Sequence, residues 1–598
     1  MTTAGRIGPI AAALLLGAAA ILLTTPSSPR SDDDLSTRAE SHAPQVIVVG
    51  SGISGLSAAL ELGRGGADVT VIDMSSVFGG HAVMSQGGLS IIDTPLQREL
   101  GLEDSPDRAF KDFVTWGEGA NEPWVRYYVD HSRTEIYDWL VELGVQFEGV
   151  DSGAPGNTAD RFHQPAGAGR GLVTPSYRAC LELDNIHFVW NSQVTGLLKD
   201  ETRVTGVEIR ELRAGDVRQI TADSVVLATG GFQSNLEMVR RYWPEGTPFP
   251  SRILIGSGRN SVGHGHRLAE SVGGALEHMD FQWNYFTGIP DPRQPESQRG
   301  LSAANMHGIL VNAAGKRFAN LHDWAKAVMP PMLQHERPTC WWIFDEAIKP
   351  EFVVSGTEWK NFKKVERLII DNPDLVQTAD TLSALAEKVG LPADALEATV
   401  ARWNELVDKG VDEDFGRFGP GKTEYNNTAS PKIETPPYYA MQSWPITRKS
   451  MGGVAIDLQC RVQDRAGQPI PGLYAVGELT GLAGVNGKSA LEGTFLGPCV
   501  LTGRVAAWSI LDRPSPAVPD FEPFDATDRC ADCHDIPELI AEKREGYWHF
   551  EECHRIVLER ELACLQCHAE LAPYDDEHHE IDHAKLTVAC VQCHVAQE

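Results

Sequence analysis

The apolar residues fall into distinct patterns along the chain. Four consecutive apolar positions, Val46–Val49, run into the turn GSGISG. The next segment, LSAALELGRGG, has apolar residues at helical spacing, and ADVTVID returns to a strand pattern. A strand–turn–helix–strand unit is therefore predicted from residue 45. Helical periodicity covers 105–145, with Trp116, Trp124, Tyr128 and Trp139 on it. Strand-like runs return over 186–230 and end in SVVLATGGF. The stretch 250–430 is mixed: a strand HGILVN, a turn AAGKRF, then the helical segments TLSALAEKVG and ALEATVARWNELVDKG. PGLYAVGE reads as a strand, and LEGTFLGPCVLTGRVAAWSIL as a helix.

Two further patterns lie outside this body. Fourteen apolar residues, Ile10–Leu23, follow Arg6. That length is short for a membrane span and suits the apolar core of a secretion signal. No small-residue cleavage site stands out before SSPRSDDD, so residues 1–29 read as a signal peptide or a retained inner-membrane anchor, and 30–44 as a linker. Far downstream, the Pro-rich RPSPAVPDFEPFD (513–525) reads as a joint before a different kind of sequence.

Composition separates that last segment. Seven of the eleven cysteines and eight of the nineteen histidines lie after residue 529. The net charge of -30 and the lack of any Lys/Arg run exclude nucleic acid as an expected partner.

Gly50-Ser51-Gly52-Ile53-Ser54-Gly55 has the GxGxxG spacing between a strand and a helix. Gly50 serves a tight turn, Gly52 lets a pyrophosphate approach the backbone, and Gly55 allows close helix–strand packing. Asp73 closes the second strand, where a carboxylate would hold a ribose hydroxyl. A second glycine-rich stretch follows, Phe78-Gly79-Gly80-His81 and Ser85-Gln86-Gly87-Gly88. ATGG, with Thr229 and Gly230, and GLYAVGE (472–478) come later.

This order of motifs, over about residues 45–512, resembles the flavoproteins of the fumarate reductase and succinate dehydrogenase family, which includes 3-ketosteroid dehydrogenases and urocanate reductase. The resemblance implies an α/β fold: a two-part Rossmann-like FAD-binding domain (45–244 and 436–512) interrupted by an α+β capping domain (245–435). It implies FAD as cofactor, Glu478 as an FAD ligand, and Thr494, Phe495 and Leu496 near the flavin ring. HAVMSQGG has the spacing at which succinate dehydrogenases bond a histidine covalently to FAD, so His81 is either such a link or a residue packed beside the flavin.

For the substrate, the same resemblance offers Arg317, in GKRFAN, as a catalytic candidate, acting as proton donor or electrostatic clamp. Other positions depart from the fumarate reductase pattern. Arg448-Lys449 stand where a histidine pair is expected before SMGG, Asn284 stands where a further histidine is expected, and Leu301 and Ala304 replace a charged relay. VNGKSALEGT offers Asn486, Lys488 and Glu492 where a carboxylate-binding arginine is expected. These departures argue against fumarate itself. Arg317, Arg448, Lys449 and Lys488 are read as a cationic site for a small organic acid or carbonyl substrate.

The C-terminal segment, 526–598, carries three CxxCH motifs. The first holds Cys530, Cys533 and His534, the second Cys564, Cys567 and His568, and the third Cys590, Cys593 and His594. Two thiols at this spacing attach one haem, and the histidine ligates its iron. Zinc is the weaker reading, because each cysteine pair is followed by histidine. Phe550-Glu-Glu-Cys553-His554 is either a fourth site with a single thioether or a distal ligand beside a free thiol. His549, His578, His579 and His583 would complete bis-histidine ligation. A small, mostly irregular/α multihaem cytochrome c domain is expected. The whole predicts a periplasmic flavocytochrome c that exchanges electrons with a redox partner protein, such as a quinol dehydrogenase or periplasmic cytochrome. A reductase is favoured by analogy, with an outward-passing dehydrogenase and a substrate-free electron carrier as rivals. Cys180, Cys340, Cys460 and Cys499 read as buried small hydrophobes.

Overall fold

The computed structural model describes residues 43–151, 155–419, 430–519 and 521. The apolar run predicted as the first strand is β1 (Gln45–Val49), and α1 (Ile53–Arg64) follows the glycine turn directly. β2 (Asp68–Ile72) pairs with β1 in parallel. The periodic stretch 105–145 forms α2 (Pro106–Gly117) and α3 (Glu122–Ser132), with a π-type segment and a short helix behind them. Ser105 and Asn121 cap α2 and α3 by accepting from Arg108 N and Trp124 N. β3 (Ile186–Val189) joins the outer side of β2, and β4 (Ser224–Leu227) the other side of β1.

The chain then builds the cap. Its sheet contains β5 (Gln282–Pro290), β6 (Gly300–Asn305), β7 (Ile309–Val311), β8 (Cys340–Asp345), β9 (Phe352–Val354) and β10 (Tyr438–Ser450), in the order β7-β8-β10-β5-β6-β9. Strands Leu254–Ile255 and Val376–Ala379 also pair with β10. α4 (Trp324–Gln334) and α5 (Ala393–Lys409) belong to this region. Because β10 is hydrogen-bonded on both sides within the cap sheet, to β8 and to β5, the return to the nucleotide domain falls after Ser450 and not at 436.

Two strands complete the first sheet: β11 (Arg461–Gln463) and β12 (Pro469–Ala475). β12 lies parallel to β4, giving the order β11-β12-β4-β1-β2-β3, with β11 as the antiparallel edge. α6 (Leu496–Ile510) packs along α1. Apart from the edge, this is a parallel sheet read as continuous apolar runs, as sheets covered on both faces are. The four cysteines before the C-terminal segment are buried and free, as expected for small hydrophobes. Among the described residues, no helix is long and apolar enough to cross a membrane.

Residues 1–42, with the signal or anchor segment, and residues 526–598 lie outside the described residues. The second range holds every expected haem group. The cysteines Cys530, Cys533, Cys553, Cys564, Cys567, Cys590 and Cys593 fall there. So do the expected iron ligands His534, His554, His568 and His594, and their partners His549, His578, His579 and His583.

Candidate functional site

Each nucleotide motif follows a strand of one parallel sheet. The glycine loop follows β1, Asp73 follows β2, ATGG follows β4 and GLYAVGE carries β12 into Glu478. Motifs far apart in sequence therefore meet at the carboxyl ends of adjacent strands, where open parallel sheets bind ligands.

The glycines meet the demands assigned to them. Gly50 has φ +111°, and a Cβ there would overlap the Ala228 carbonyl oxygen. A Cβ at Gly55 would overlap the Gly50 carbonyl oxygen. A Cβ at Gly52 would meet nothing within 4 Å, so that side of the loop is open to a close ligand. Gly52 caps α1 without a side-chain hydrogen bond, which leaves the helix N–H groups directed outward. The second glycine stretch lies against the first. Gly79 N donates to Ser51 O at 2.8 Å, and a Cβ on Gly80 would lie 3.3 Å from Gly52 Cα.

Asp73 also holds the loop. Its Oδ2 accepts from Ser51 N and Ser51 Oγ, both at 2.7 Å, and its Oδ1 accepts from Ser75 N at 2.7 Å. Ser51 is thus a working residue that the GxGxxG pattern leaves as an x. Gly87 and Gly88 serve packing: side chains there would meet Gly169 N and the Phe162 ring. Gln86 is exposed. Gly230 takes φ +73° at the end of ATGG. Gly231 behind it leaves room for Glu478 and Ser450. Thr494 is fully buried, with its hydroxyl on Asn486 and Leu491 O, so it fixes the loop before α6. Asn486 Nδ2 donates to Thr494 O at 3.0 Å. Phe495 and Leu496 begin α6, which has no side-chain cap.

The second half of the site is made of charge. β10 pairs with β5 as Ser450↔Gln282, Lys449↔Trp283 and Thr447↔Asn284, so Arg448 is the unpaired residue of a β-bulge. In a regular strand, neighbours point to opposite faces; a bulge re-aims one of them. Arg448 lies over the Tyr285 ring, 5.2 Å from its centroid, and Lys449 Nζ lies 5.2 Å from the Phe495 centroid. Tyr285 Oη donates to Glu492 Oε1 at 3.0 Å. Ser450 N donates to Glu478 Oε1 at 3.0 Å.

Burial, opposed by Lys449, pushes the Glu478 carboxyl above the usual range. Burial also raises Glu492, against the Tyr285 hydrogen bond and the two cations. Burial lowers Lys449, against the attraction of Glu478. His81 is held well below its ordinary pKa by burial and by Lys449, Arg448 and Arg299, so its ring is neutral. The buried His81 Nδ1, Thr229 Oγ1 and Ser257 Oγ have no hydrogen-bond partner in the protein. Open Gly52, the uncapped α1 and these three atoms fit a bound dinucleotide with a polar ring system. Tyr285 and Arg299 carry no mark in the sequence, because only the pairing of distant segments brings them here.

One predicted member is held elsewhere. The Arg317 guanidinium is bound at two nitrogens by Asp412, from Nη1 at 3.1 Å and Nη2 at 2.5 Å. It stacks between Trp403 of α5 and Phe415, with a side-chain exposure of 8%. Its charge is neutralised inside the cap, which corrects its assignment to the substrate. Lys488 is exposed, with Nζ 5.7 Å from the Phe281 ring centroid. The cations that face His81 are Lys449, Arg448 and Arg299.

A parallel sheet with this cradle defines a dinucleotide-binding flavoprotein fold. The family model described as FAD binding domain matches residues 45–496, and the chain belongs to that family as an FAD-dependent oxidoreductase. Over 470 residues it is 33% identical to a fumarate reductase (cytochrome) of Shewanella frigidimarina, covering 77% of this chain and 76% of the relative. Over 555 residues it is 29% identical to a KsdD-like steroid dehydrogenase of Mycobacterium tuberculosis, covering 80% and 97%. The solved open conformation of a flavocytochrome c3 fumarate reductase matches with a TM-score of 0.63 and 27% identity, covering 79% of this chain and 78% of that one.

Proposed function

We propose that this protein is a periplasmic flavocytochrome c that reduces an activated C–C double bond in a small anionic or carbonyl-bearing compound, with electrons delivered through C-terminal c-type haems. The observation that carries the substrate class is the bulged Arg448–Lys449 pair facing Glu478, Glu492 and His81. Bound FAD supplies hydride chemistry. The chain's own residues would do the rest. Arg448 and Lys449 stabilise negative charge that builds on the substrate's carbonyl or carboxylate. Lys449 and Glu492, their pKa values shifted toward each other by burial, are the groups placed to hold and move a proton. The Tyr285 hydroxyl orients Glu492.

Fumarate itself is not favoured, because Ala304, Asn284 and Asn486 stand where its relay and ligands are expected. Three CxxCH motifs within 65 residues support the haems, with Cys530 and Cys533, Cys564 and Cys567, and Cys590 and Cys593 as the thioether pairs and His534, His568 and His594 as the proximal ligands. The apolar run Ile10–Leu23 supports export. The dehydrogenase direction is favoured by one finding, the likeness to a KsdD-like steroid dehydrogenase over 97% of that relative's length.

The test is oxidation of a reduced viologen by the purified protein, with fumarate, urocanate, acrylate-type acids and enones as acceptors. Turnover with one of them supports the reductase and names the substrate class. No turnover, together with haem reduction by a saturated counterpart, reverses the direction. Inertness both ways makes the protein a carrier. For His81, flavin that stays on the denatured chain and is lost in His81→Ser assigns a covalent link; released FAD assigns packing alone.

A further inference from the structure

The sequence between the nucleotide domain and the Cys/His segment reads as a free joint, but the structure lays it on the protein. Residues 513–519 and 521 run along α2 and α3. His131 Nε2 on α3 donates to Ala517 O at 2.8 Å. Phe521 meets Phe110 of α2, with ring centroids 5.4 Å apart, and Val518 and Phe521 pack on the main core. Tyr127 lies one helical turn before His131, their rings 5.0 Å apart, and its hydroxyl faces Ser515. Pro514, Pro516 and Pro519 each fix φ, so less conformational entropy is lost on docking.

α3 also reaches the loops beside the nucleotide site, and by nearly the same side, since Tyr128 and His131 stand three residues apart on the helix. Tyr128 Oη donates to Ser90 O, and the Tyr128 ring closes on Gly497 in the first turn of α6. Asn121 N, at the start of α3, donates to Gly484 O at 2.9 Å, in the loop that leads to Thr494. α3 thus touches both the docked segment, through His131, and the backbone at Ser90 and Gly484, through Tyr128 and Asn121. Beside the start of α3 lies a groove of about 420 Å³, lined by Pro123, Trp124 and residues 456–459, with Leu458 36% exposed on it.

The tether is short. Phe521 and Cys530, the first haem-attaching cysteine, are nine residues apart. A chain spans at most about 3.3–3.6 Å per residue, so Cys530 lies within about 30 Å of Phe521.

We propose that the α2–α3 face, with its docked strap (513–519 and Phe521) and the adjoining groove, is the docking surface for the protein's own C-terminal segment 526–598, and that it presents that segment to the flavin side beside α3. This rests on the reading of 526–598 as a haem module. The test uses the full chain and a Phe521→Ser variant, whose changed side chain is partly exposed, with His131→Ala as a second variant. Amide hydrogen exchange over 106–132 and 456–461 reports docking. Rapid-mixing electron transfer between flavin and haem reports its use. The proposal expects at least tenfold faster exchange on this face and at least tenfold slower transfer in Phe521→Ser, with flavin and haem content unchanged. Unchanged exchange, or faster exchange with an unchanged transfer rate, overturns it. A purified wild type that carries no haem by its pyridine haemochrome spectrum defeats the haem reading instead, and exchange still reports whether the strap docks.

Discussion

The nucleotide end of the site and its reaction end are built by opposite means. At the nucleotide end the working groups are backbone: Gly50, Gly52 and Gly55 shape one loop, and Asp73 holds that loop through Ser51. At the reaction end they are charged or titratable side chains, placed where the bulge at Arg448 brings β10 over the 478–495 segment. A backbone cradle has no room for a side chain at Gly50 or Gly55. A charged cluster tolerates shape changes but depends on every charge and on pH.

Four substitutions would break or sharpen this contrast. The largest effect is expected from Gly55→Val, whose side chain would collide with the Gly50 carbonyl. The variant should purify without flavin absorbance, and normal flavin content would show that the cradle is not backbone-limited. Next, Lys449→Met should keep its flavin yet lose about 10²–10³-fold in kcat on the best acceptor, the usual cost of removing one stabilising charge. A fall in flavin content equal to the fall in rate would place Lys449 at the nucleotide end instead.

The third is a matter of pH. The folded pKa of His81 is depressed, so its contribution to stability is whole above about pH 6.5 and is lost as pH falls below that, by about 1.4 kcal/mol per pH unit. His163, pushed down to about 4, and His266, pushed down to about 3, add acid sensitivity of the same sign. Thermal melts of wild type and His81→Asn should therefore converge at neutral pH and diverge on acidification, with the variant losing less. Parallel curves would mean that His81 is not held neutral. The smallest effect is expected from Lys488→Ala: an exposed cation should change stability and kcat/KM by no more than about 0.5 kcal/mol. A large loss would place Lys488 at the substrate.

The same contrast explains what was legible in the sequence. A left-handed or crowded backbone position demands glycine locally, so the GxGxxG, FGGH and ATGG motifs are enough to mark the cradle. The apolar runs mark β1, β2, β4 and β12 for a similar reason: a strand covered on both faces has nowhere to put polar residues. The reaction end depends on register. Nothing in the pair Arg448-Lys449 reveals that one of them is bulged, or that Tyr285 will reach Glu492 across 207 positions. Arg317 misled because a motif names a residue but not its partner. Asp412, which claims its charge, lies 95 positions away, and the stacking ring of Trp403 lies on α5. The cap boundary slipped for a related reason: β10 belongs to the cap by hydrogen bonding, although it adjoins the returning nucleotide domain in sequence.

The measurement that tests the account most directly is anaerobic rapid mixing of the dithionite-reduced protein with the best acceptor of the panel, recording flavin and haem absorbance together in wild type and Lys449→Met. The account predicts that flavin re-oxidises first and haem follows in wild type, and that the first phase slows about 10²–10³-fold in the variant while haem-to-flavin transfer keeps its rate. Flavin re-oxidation at the wild-type rate in Lys449→Met would contradict the claim that the bulged cations form the reaction end of this site.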